Sequence, residues 1–485
     1  MSTRRSQHAL AKRWRPLLVV VLATSVPIAV DQIWVHVWRF VPVSYDTTRL
    51  MGPVSKDGGI NYVRALNQLA RRGVTSKNDA AVLLIKAVGP KLFPAEVWYD
   101  KDILWQLDMQ PFETNASRLI PLAGWLRKHP LPENPNRYSR WRLELNLRSH
   151  PWTATRYPVL AQWMQANREP LALFASAVKR PRYYVPLESP DRGLIHARVP
   201  LLRPLSFLVQ VAAMRGMMLL GQGDAEGAVR WANRINRLAI LVAQSPDVVS
   251  YLLGIRFESV AMRMDQAAAN SDELSAKQLG ALLNSIETLP SLPSLAEALN
   301  DQRYAGLSMI MMLDENGLKI LKINRMLESE KEVAASKLPG FLKECRRMKQ
   351  LKMVIKEYAS PASVILNPAS VAVVLANPDA THIACYRRGV NVMRCLTEVA
   401  AALAKFKKVR GKYPATLSDL VPTDLKYAPK DAFSGEPFQY AVTTGGRGFQ
   451  VKSLGVPPGV GGLTLRRDMA ANIVVDGGNW ASAAK

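Results

Sequence analysis

The stretch "LSFLVQVAAMRGMMLLGQGDAEGAVRWANRINRLAILVAQSP", from Leu205 to Pro246, decides the fold of the middle of the chain. Its first half is apolar up to Leu220, and apolar residues recur at helical spacing in its second half, to about Gln244. Between the halves, Gly221 to Asp224 provide the small and polar residues of a tight turn. The stretch therefore predicts two antiparallel helices joined by a short turn.

Further helices are expected on both sides of this hairpin, because strand signals are scarce through the middle of the chain. One helix is predicted from Val248 to Ala269, and two more follow Ser275 and Ser294, which stand at N-cap positions. Upstream, Asp79 and Gly89 bracket another apolar helix. Antiparallel helices that stack in this way form an α-solenoid-like array. The turn of the first hairpin resembles that of tetratricopeptide proteins, although no strict repeat of about 34 residues is present.

Tryptophans are concentrated upstream of this hairpin. Six of them stand in one stretch: Trp98, Trp105, Trp125, Trp141, Trp152 and Trp163. Such a concentration is typical either of a ligand-binding face or of bulky core residues between short helices. We interpret them as core residues.

The composition narrows the class of protein. A chain of 485 residues with 48% apolar residues predicts two or three folded domains, at roughly 100–200 residues each. The formal net charge of +25 favours anionic surroundings, such as lipid head groups or envelope polymers, although an ordinary solvated basic surface has the same composition. Nucleic acid is an unfavoured partner, because no basic run is interleaved with aromatic residues. The three cysteines, Cys345, Cys385 and Cys395, allow one disulfide at most.

The N-terminus decides the expected compartment. Basic residues up to Arg15 precede the apolar run from Leu17 to Val30, and a helix that continues to Trp38 is long enough to cross a bilayer. The basic flank orients the N-terminus to the cytoplasm. Two alternatives stay open: a signal peptide cleaved near Ala23 and Ser25, and a buried helix of a soluble protein.

These patterns predict five segments. They are a cytoplasmic basic segment 1–15, a transmembrane signal anchor 16–40 that contacts the membrane through residues 17–38, an extracytoplasmic helical region 41–358, a proline-interrupted apolar linker 359–384 and a C-terminal module 385–485. We therefore expect a single-pass protein of the inner, cytoplasmic membrane, with the bulk of the chain extracytoplasmic.

The end of the helical region is strongly basic. Residues 319 to 357 hold eleven Lys or Arg against five Glu. One face of this segment is expected to bind anionic lipid or polymer, and a solvated helix surface is the alternative. The residues assigned to that face are Lys319, Lys322, Arg325, Lys331, Arg346, Arg347 and Lys349.

The C-terminal module begins with a predicted helix from Cys385 to Val409. Its apolar stripe consists of Cys385, Val392, Leu396, Val399, Leu403 and Phe406. Gly411 stands at the C′ position, and Thr416 and Asp419 fit a capping-box variant at the start of a short helix. Alternating apolar residues near Tyr440 and Val451 then predict an antiparallel hairpin.

The strings "ALAKFKKVRGKYPATLSDL", "PKDAFSGEPFQY" and "FQVKSLGVPPGVGG" in this module resemble the globular half of type II secretion major pseudopilins. The resemblance implies a helix, a proline-stiffened loop and a small antiparallel sheet. Ala432 stands where that family has a proline in this loop. Pro457 stands where the family carries a calcium-binding aspartate, so no calcium site is expected, although Asp468 and Asp476 remain.

The module also lacks the apolar, cleavable N-terminal half that a filament subunit carries directly before this helix. The whole chain instead resembles bacterial membrane-anchored proteins of no known activity that join a helical extracytoplasmic region to a pseudopilin-like tail. The predicted fold class is therefore mainly α: an N-terminal membrane anchor, α-solenoid-like helical hairpins and a small α+β pseudopilin-like C-terminal module.

No motif of a known catalytic site is present. The sequence contains no HExxH, GxSxG, Walker A or GxGxxG, and its six histidines are not at ligand spacing. We therefore assign no catalytic, cofactor-binding or metal-binding residue and no cofactor. The first hypothesis is a non-enzymatic scaffold or adaptor linked to secretion machinery, with a protein partner on the helical region. The alternative is an envelope hydrolase acting on an anionic polymer.

Overall fold

The structure is a computed structural model, and the predicted mainly helical fold is confirmed. It describes residues 43–46, 48–55, 59–90, 101–110, 112, 119–131, 137–189, 194, 197–295, 304–305, 307–308, 380–443, 446–453 and 474–477. The predicted anchor at 17–38, the basic face between Lys319 and Lys349, and the linker up to residue 379 lie outside these ranges.

The helices in these ranges are named in chain order. They are α1 Tyr62–Ala70, α2 Ala80–Val88, α3 Lys101–Gln106, α4 Leu122–Leu126, α5 Arg137–Ser149, α6 Pro158–Ala166, α7 Arg168–Ala177, α8 Leu202–Gly221, α9 Ala225–Val242, α10 Val248–Ala269, α11 Ala276–Glu287 and α12 Ala380–Arg410. A short 3₁₀ helix covers Leu417–Leu420, and the strands are β1 Gln439–Val442, β2 Phe449–Lys452 and β3 Val474–Gly477.

Helices α8, α9 and α10 form the centre of the fold. The first two are the helices of the Leu205–Pro246 stretch, and α9 packs against both α8 and α10. Asp224 caps α9, because its Oδ1 accepts a hydrogen bond from the Gly227 N–H at 2.7 Å. The turn before it passes through Gly223, whose φ of 83° favours glycine.

Among the described residues, α8 is the one helix that is long and apolar enough to cross a membrane. However, 67% of its most apolar window is buried inside the protein. Leu205 and Leu208 are fully buried, and α9 and α5 pack against the helix. Burial to this extent is typical of a core helix. Packing within the fold therefore explains why α8 is so apolar.

The N-terminal helices are fixed by buried polar side chains. Asp79 caps α2: its Oδ1 accepts hydrogen bonds from the N–H groups of Ala81 at 2.9 Å and Tyr184 at 3.0 Å. Helix α2 ends at Gly89, as predicted, and packs against α7. Asn167 is fully buried and accepts from the Ile120 N–H at 2.8 Å. Side-chain hydrogen bonds of this kind satisfy backbone groups in segments without regular structure.

Helix α12 begins at Ala380 rather than Cys385, so the end of the predicted linker belongs to this helix. Its predicted apolar stripe is buried in full: Cys385, Val392, Leu396, Val399, Leu403 and Phe406. The stripe packs against α10 and α11, and one hydrophobic core runs from Ala80 in α2 to Val475 in β3. The C-terminal helix therefore shares a core with the helical region.

Asp431 fixes the loop between α12 and the sheet. Its Oδ1 accepts from the Phe433 N–H at 2.9 Å, and its Oδ2 accepts from the Ser453 hydroxyl at 2.7 Å, just after β2. Gly435, with φ of 78°, closes the turn. The antiparallel sheet has the order β1-β2-β3. The sequence predicts the β1–β2 hairpin but not β3, which follows β2 only after a long interval in the chain.

The tryptophans do not all have the predicted role. Trp152 and Trp163 are buried core residues, and Trp125 is partly buried. Trp105 and Trp141, in contrast, are 76% and 56% exposed. The interpretation as core residues is therefore wrong for these two, and Trp98 lies outside the described residues. The two exposed indoles belong to short helices that present only one face to the core.

Candidate functional site

Charged residues of α5 and α10 lie near one another where these helices contact, and we name them the α5–α10 charged cluster. It is formed by Arg140, Glu144 and Arg148 of α5 and by Arg256 and Arg263 of α10. The three α5 residues are four apart, and the two α10 residues are seven apart. These spacings place each set on one face of its helix.

Burial is the first cause of each resolved pKa shift in this cluster. Burial lowers the pKa of Arg148, and the neighbouring charges of Arg256 and Arg263 lower it further. Arg263 reaches solvent, yet desolvation by the surrounding protein lowers its pKa too. Burial raises the pKa of Glu144, against the opposing effect of Arg148 and Arg140. Arg256 and Arg263 are exposed, so this charged cluster belongs to the protein surface.

A small polar cavity lies on another side of α5. Its volume is about 80 Å³, and its lining includes Asn146, His150, Trp152, Thr153 and Arg156. Helix α8 closes it at Gly221, where a Cβ would lie 2.2 Å from the Trp152 carbonyl oxygen. The two chain segments approach this closely because residue 221 has no side chain.

The chemistry of this cavity is limited. A nucleophilic site needs a hydroxyl or thiol, a base and a third group that orients the base. His150 and Thr153 line the cavity together, but no carboxylate is among its lining residues. The Thr153 Oγ1 also accepts a hydrogen bond from the Arg156 N–H at 3.3 Å, which fits a local turn. The arrangement is that of a polar pocket for a very small molecule.

A buried ion pair joins α12 to α10. The Glu258 carboxylate is 2% exposed, and its Oε1 accepts hydrogen bonds from Nε of Arg394, at 3.0 Å, and from Nη2 of the same residue. Arg387 adds a second positive charge, 3.7 Å from Glu258 Oε2. Nη1 of Arg394 also donates to the Leu289 carbonyl at 3.2 Å, after the end of α11. Arg394 thus links the C-terminal helix to α10 through Glu258 and to the segment after α11 through Leu289.

Further polar contacts follow the same interface. The Gln266 side chain in α10 donates to the Thr397 hydroxyl in α12 at 2.9 Å, and both residues are buried. At the rim, Nζ of Lys408 donates to the Asp272 carbonyl at 2.8 Å, and Lys426 pairs with Glu287 at 2.7 Å. Polar contacts at both the centre and the rim define one orientation of α12.

Two buried carboxyl groups lie outside these pairs. Asp265 in α10 is fully buried, and neither of its oxygens has a hydrogen-bond partner within the described structure. Desolvation raises the pKa of Asp265 well above its ordinary value. Burial also raises the pKa of Asp79 to about 6, against the hydrogen bonds from Ala81 and Tyr184 and the charge of Arg180. Because the pKa of each group is raised in the folded protein, the free energy of unfolding depends on pH.

Side chains that could bind a metal ion do not come together in the ranges that the structure describes. Those ranges contain no group of three or more His, Cys, Asp or Glu that could hold a metal ion. Cys395 is a free thiol, and Cys345 lies outside the described ranges. Burial raises the pKa of Cys395 to about 11, so this thiol stays protonated and unreactive at neutral pH.

The chain matches no protein-family model, no curated protein and no solved structure. Its function must therefore be argued from its own sequence and geometry.

Proposed function

We propose that the chain is a membrane-anchored, non-enzymatic scaffold or adaptor of the bacterial envelope. In this proposal the α-solenoid-like helical region binds a protein partner, and the pseudopilin-like tail connects it to secretion machinery. The observation that carries the proposal is the shared core of α10, α11 and α12 with its buried Glu258–Arg394 pair. A tail that is fixed rigidly to a helical layer can hold two partners in a constant geometry.

The exposed tryptophans support the partner surface. Trp141 is flanked in α5 by Arg140 and Arg142, and Trp105 is the most exposed tryptophan in the described ranges. Tryptophan and arginine are the residues that most often dominate binding energy in protein interfaces. The basic net charge favours a protein partner with an acidic surface.

The alternative of an envelope hydrolase has one observation in its favour, the shared cavity of His150 and Thr153. The scaffold is favoured because the cavity holds only about 80 Å³ and none of its lining residues is a carboxylate. Purified full-length protein that cleaves an anionic envelope polymer, and loses that activity in His150→Ala, would favour the hydrolase.

Photo-crosslinking in growing cells tests the partner surface. A photoreactive phenylalanine analogue at Trp105 or at Trp141 should each give one discrete, larger adduct, whereas the same analogue at the exposed Leu69 should give none. Arg142→Glu should weaken the Trp141 adduct, because it removes charge complementarity with an acidic partner. Adducts that are equally strong at Leu69, or that are absent at both tryptophans, would contradict the proposed surface.

The membrane topology is a separate prediction. The basic flank and the apolar run from Leu17 predict that residues after the anchor lie outside the cytoplasm. Alkaline phosphatase fused after Ile60 should therefore be active, and β-galactosidase fused at the same position should be inactive. The reverse pattern would place the helical region in the cytoplasm and overturn the envelope assignment.

A further inference from the structure

We propose that the small polar cavity beside α5 is a binding site for a carboxylate group. The cavity has a volume of about 80 Å³ and lies where the end of α5, the loop before α6 and the end of α8 meet. None of its lining residues is a carboxylate, whereas Arg156, an exposed residue of the lining, carries a positive charge. This inference does not depend on the scaffold proposal, because it rests on this cavity alone.

Trp152 provides a buried donor that lacks an acceptor. The residue lines the cavity and is 4% exposed, and its indole Nε1 has no hydrogen-bond partner among the described residues. Buried polar atoms nearly always have a partner, and an indole N–H can only donate. The missing partner is therefore a hydrogen-bond acceptor. The ring of Tyr157, which also lines the cavity, packs edge-on against this indole at 6.3 Å.

The other polar groups of the lining also favour an acceptor. A histidine such as His150 donates from at least one ring nitrogen. The Thr153 Oγ1 accepts from the Arg156 N–H at 3.3 Å, so its hydroxyl hydrogen is left to donate. The Arg156 guanidinium lies 5.6 Å from the centre of the Tyr157 ring, and its planar fork matches the two oxygens of a carboxylate. Several donors, one cation and no lining carboxylate select an anion.

The size of the cavity limits this anion to a small group. A cavity of about 150 Å³ in another protein holds benzene, so roughly half that volume accommodates about four non-hydrogen atoms, the size of acetate. A larger molecule can enter only by its carboxylate end. The wall is already in place without a ligand, because the Trp152 N–H donates to the Met217 carbonyl of α8 at 3.3 Å.

Indole N–H resonances test the contact directly. The full chain, labelled with ¹⁵N-tryptophan and purified in a non-ionic detergent, is titrated with sodium acetate, and sodium chloride at equal ionic strength is the reference. One indole resonance, absent in Trp152→Phe, should move downfield because its N–H gains a charged acceptor. Acetamide has the same shape without the charge, and it should leave this resonance in place.

Saturation-transfer NMR of the acetate methyl group measures affinity without that assignment, and therefore serves even if Trp152→Phe does not fold. Arg156→Gln should weaken acetate binding about tenfold or more, because it removes a charged donor. Arg237→Gln, at an exposed arginine of α9, is the matched control and should bind as the unaltered protein does. Absence of acetate binding, equal binding of acetamide, or equal losses in the two arginine variants would overturn the site.

Two sources carry this chemistry: a free small acid and a carboxylate of a protein partner. A blocked peptide with an aspartate as its only carboxylate distinguishes them. If the natural ligand is a free acid, the peptide should bind far more weakly than acetate, because its backbone must stay outside. If the ligand belongs to a protein, the peptide should displace acetate at an equal or lower concentration. The same peptide with asparagine should displace no acetate, and equal displacement by both peptides would show that the carboxylate is not what the cavity recognises.

Discussion

Glu258→Ala should lower the free energy of unfolding by about 3–5 kcal/mol, because it leaves two guanidinium groups buried without their carboxylate. Arg394 and Arg387 are both largely buried at the α10–α12 interface, with side-chain exposures of 15% and 16%. Removing one member of a buried pair is costly, since the uncompensated charge cannot reach water. The measurement is denaturant unfolding of the full chain in detergent, followed by circular dichroism.

Two further variants show whether this loss comes from the buried charge. Lys426→Ala removes the exposed pair with Glu287 and should change stability little, because exposed ion pairs contribute little. Glu258→Leu combined with Arg394→Met replaces the main pair by apolar groups and should recover part of the loss, since only Arg387 then keeps a buried charge without its carboxylate. If Glu258→Ala and Lys426→Ala had equal, small effects, the pair would not fix α12 to the helical region.

The sequence predicts the helices well, because their local signals agree with their packing. The Leu205–Pro246 stretch has helical periodicity on both sides of a glycine-containing turn, and the structure places α8 and α9 there. Helix α10 runs from Val248 to Ala269, as predicted, and Asp247 caps it in the structure. Secondary structure with local caps and a clear period needs no knowledge of distant contacts.

The polar contacts of the core could not be predicted in the same way. Glu258 and Arg394 are 136 positions apart, so no spacing rule relates them. The α5–α10 charged cluster has the same property: the helical spacing of Arg256 and Arg263 is visible in the sequence, but their proximity to Arg148 depends on how α5 packs. Glu258, Asp265 and Gln266 of α10 are also buried, although charged and polar side chains are usually exposed.

These polar residues are buried because α10 is covered by protein on nearly every side. An amphipathic helix has a polar face in water, and its charged residues mark that face. Helix α10 contacts α8, α9 and α12 and packs against α5 as well, so most of its surface meets protein. Its charged residues must then find a partner, as Glu258 does, or lose their charge. Asp265 has no such partner in the described structure, and its raised pKa means that it holds a proton in the folded protein.

Asp265→Asn should remove a pH dependence of about 1.4 kcal/mol per pH unit from the free energy of unfolding above about pH 4. The pKa of Asp265 is raised in the folded state, so the folded protein retains a proton that the unfolded chain releases above its ordinary pKa of 3.8. Stability from this group is therefore fully present below that pKa and is lost as the pH rises towards the folded pKa. Asparagine does not titrate, and the variant should become progressively more stable than the unaltered protein as the pH rises.

The experiment compares denaturant unfolding of the full chain at several pH values between about 4.5 and 6.5, where the stabilities of the two proteins should diverge as the pH rises. Asp79, whose pKa is raised to about 6, titrates in the same range, but it is present in both proteins and cancels in the difference. Asp272→Asn, at a carboxylate whose side chain is 72% exposed, is the matched control and should follow the unaltered protein. Parallel pH profiles for Asp265→Asn and the unaltered protein would mean that Asp265 is ionised in the folded state. A buried carboxylate with neither a charge partner nor a hydrogen-bond donor could stay ionised only if water reached Asp265 near the end of α10.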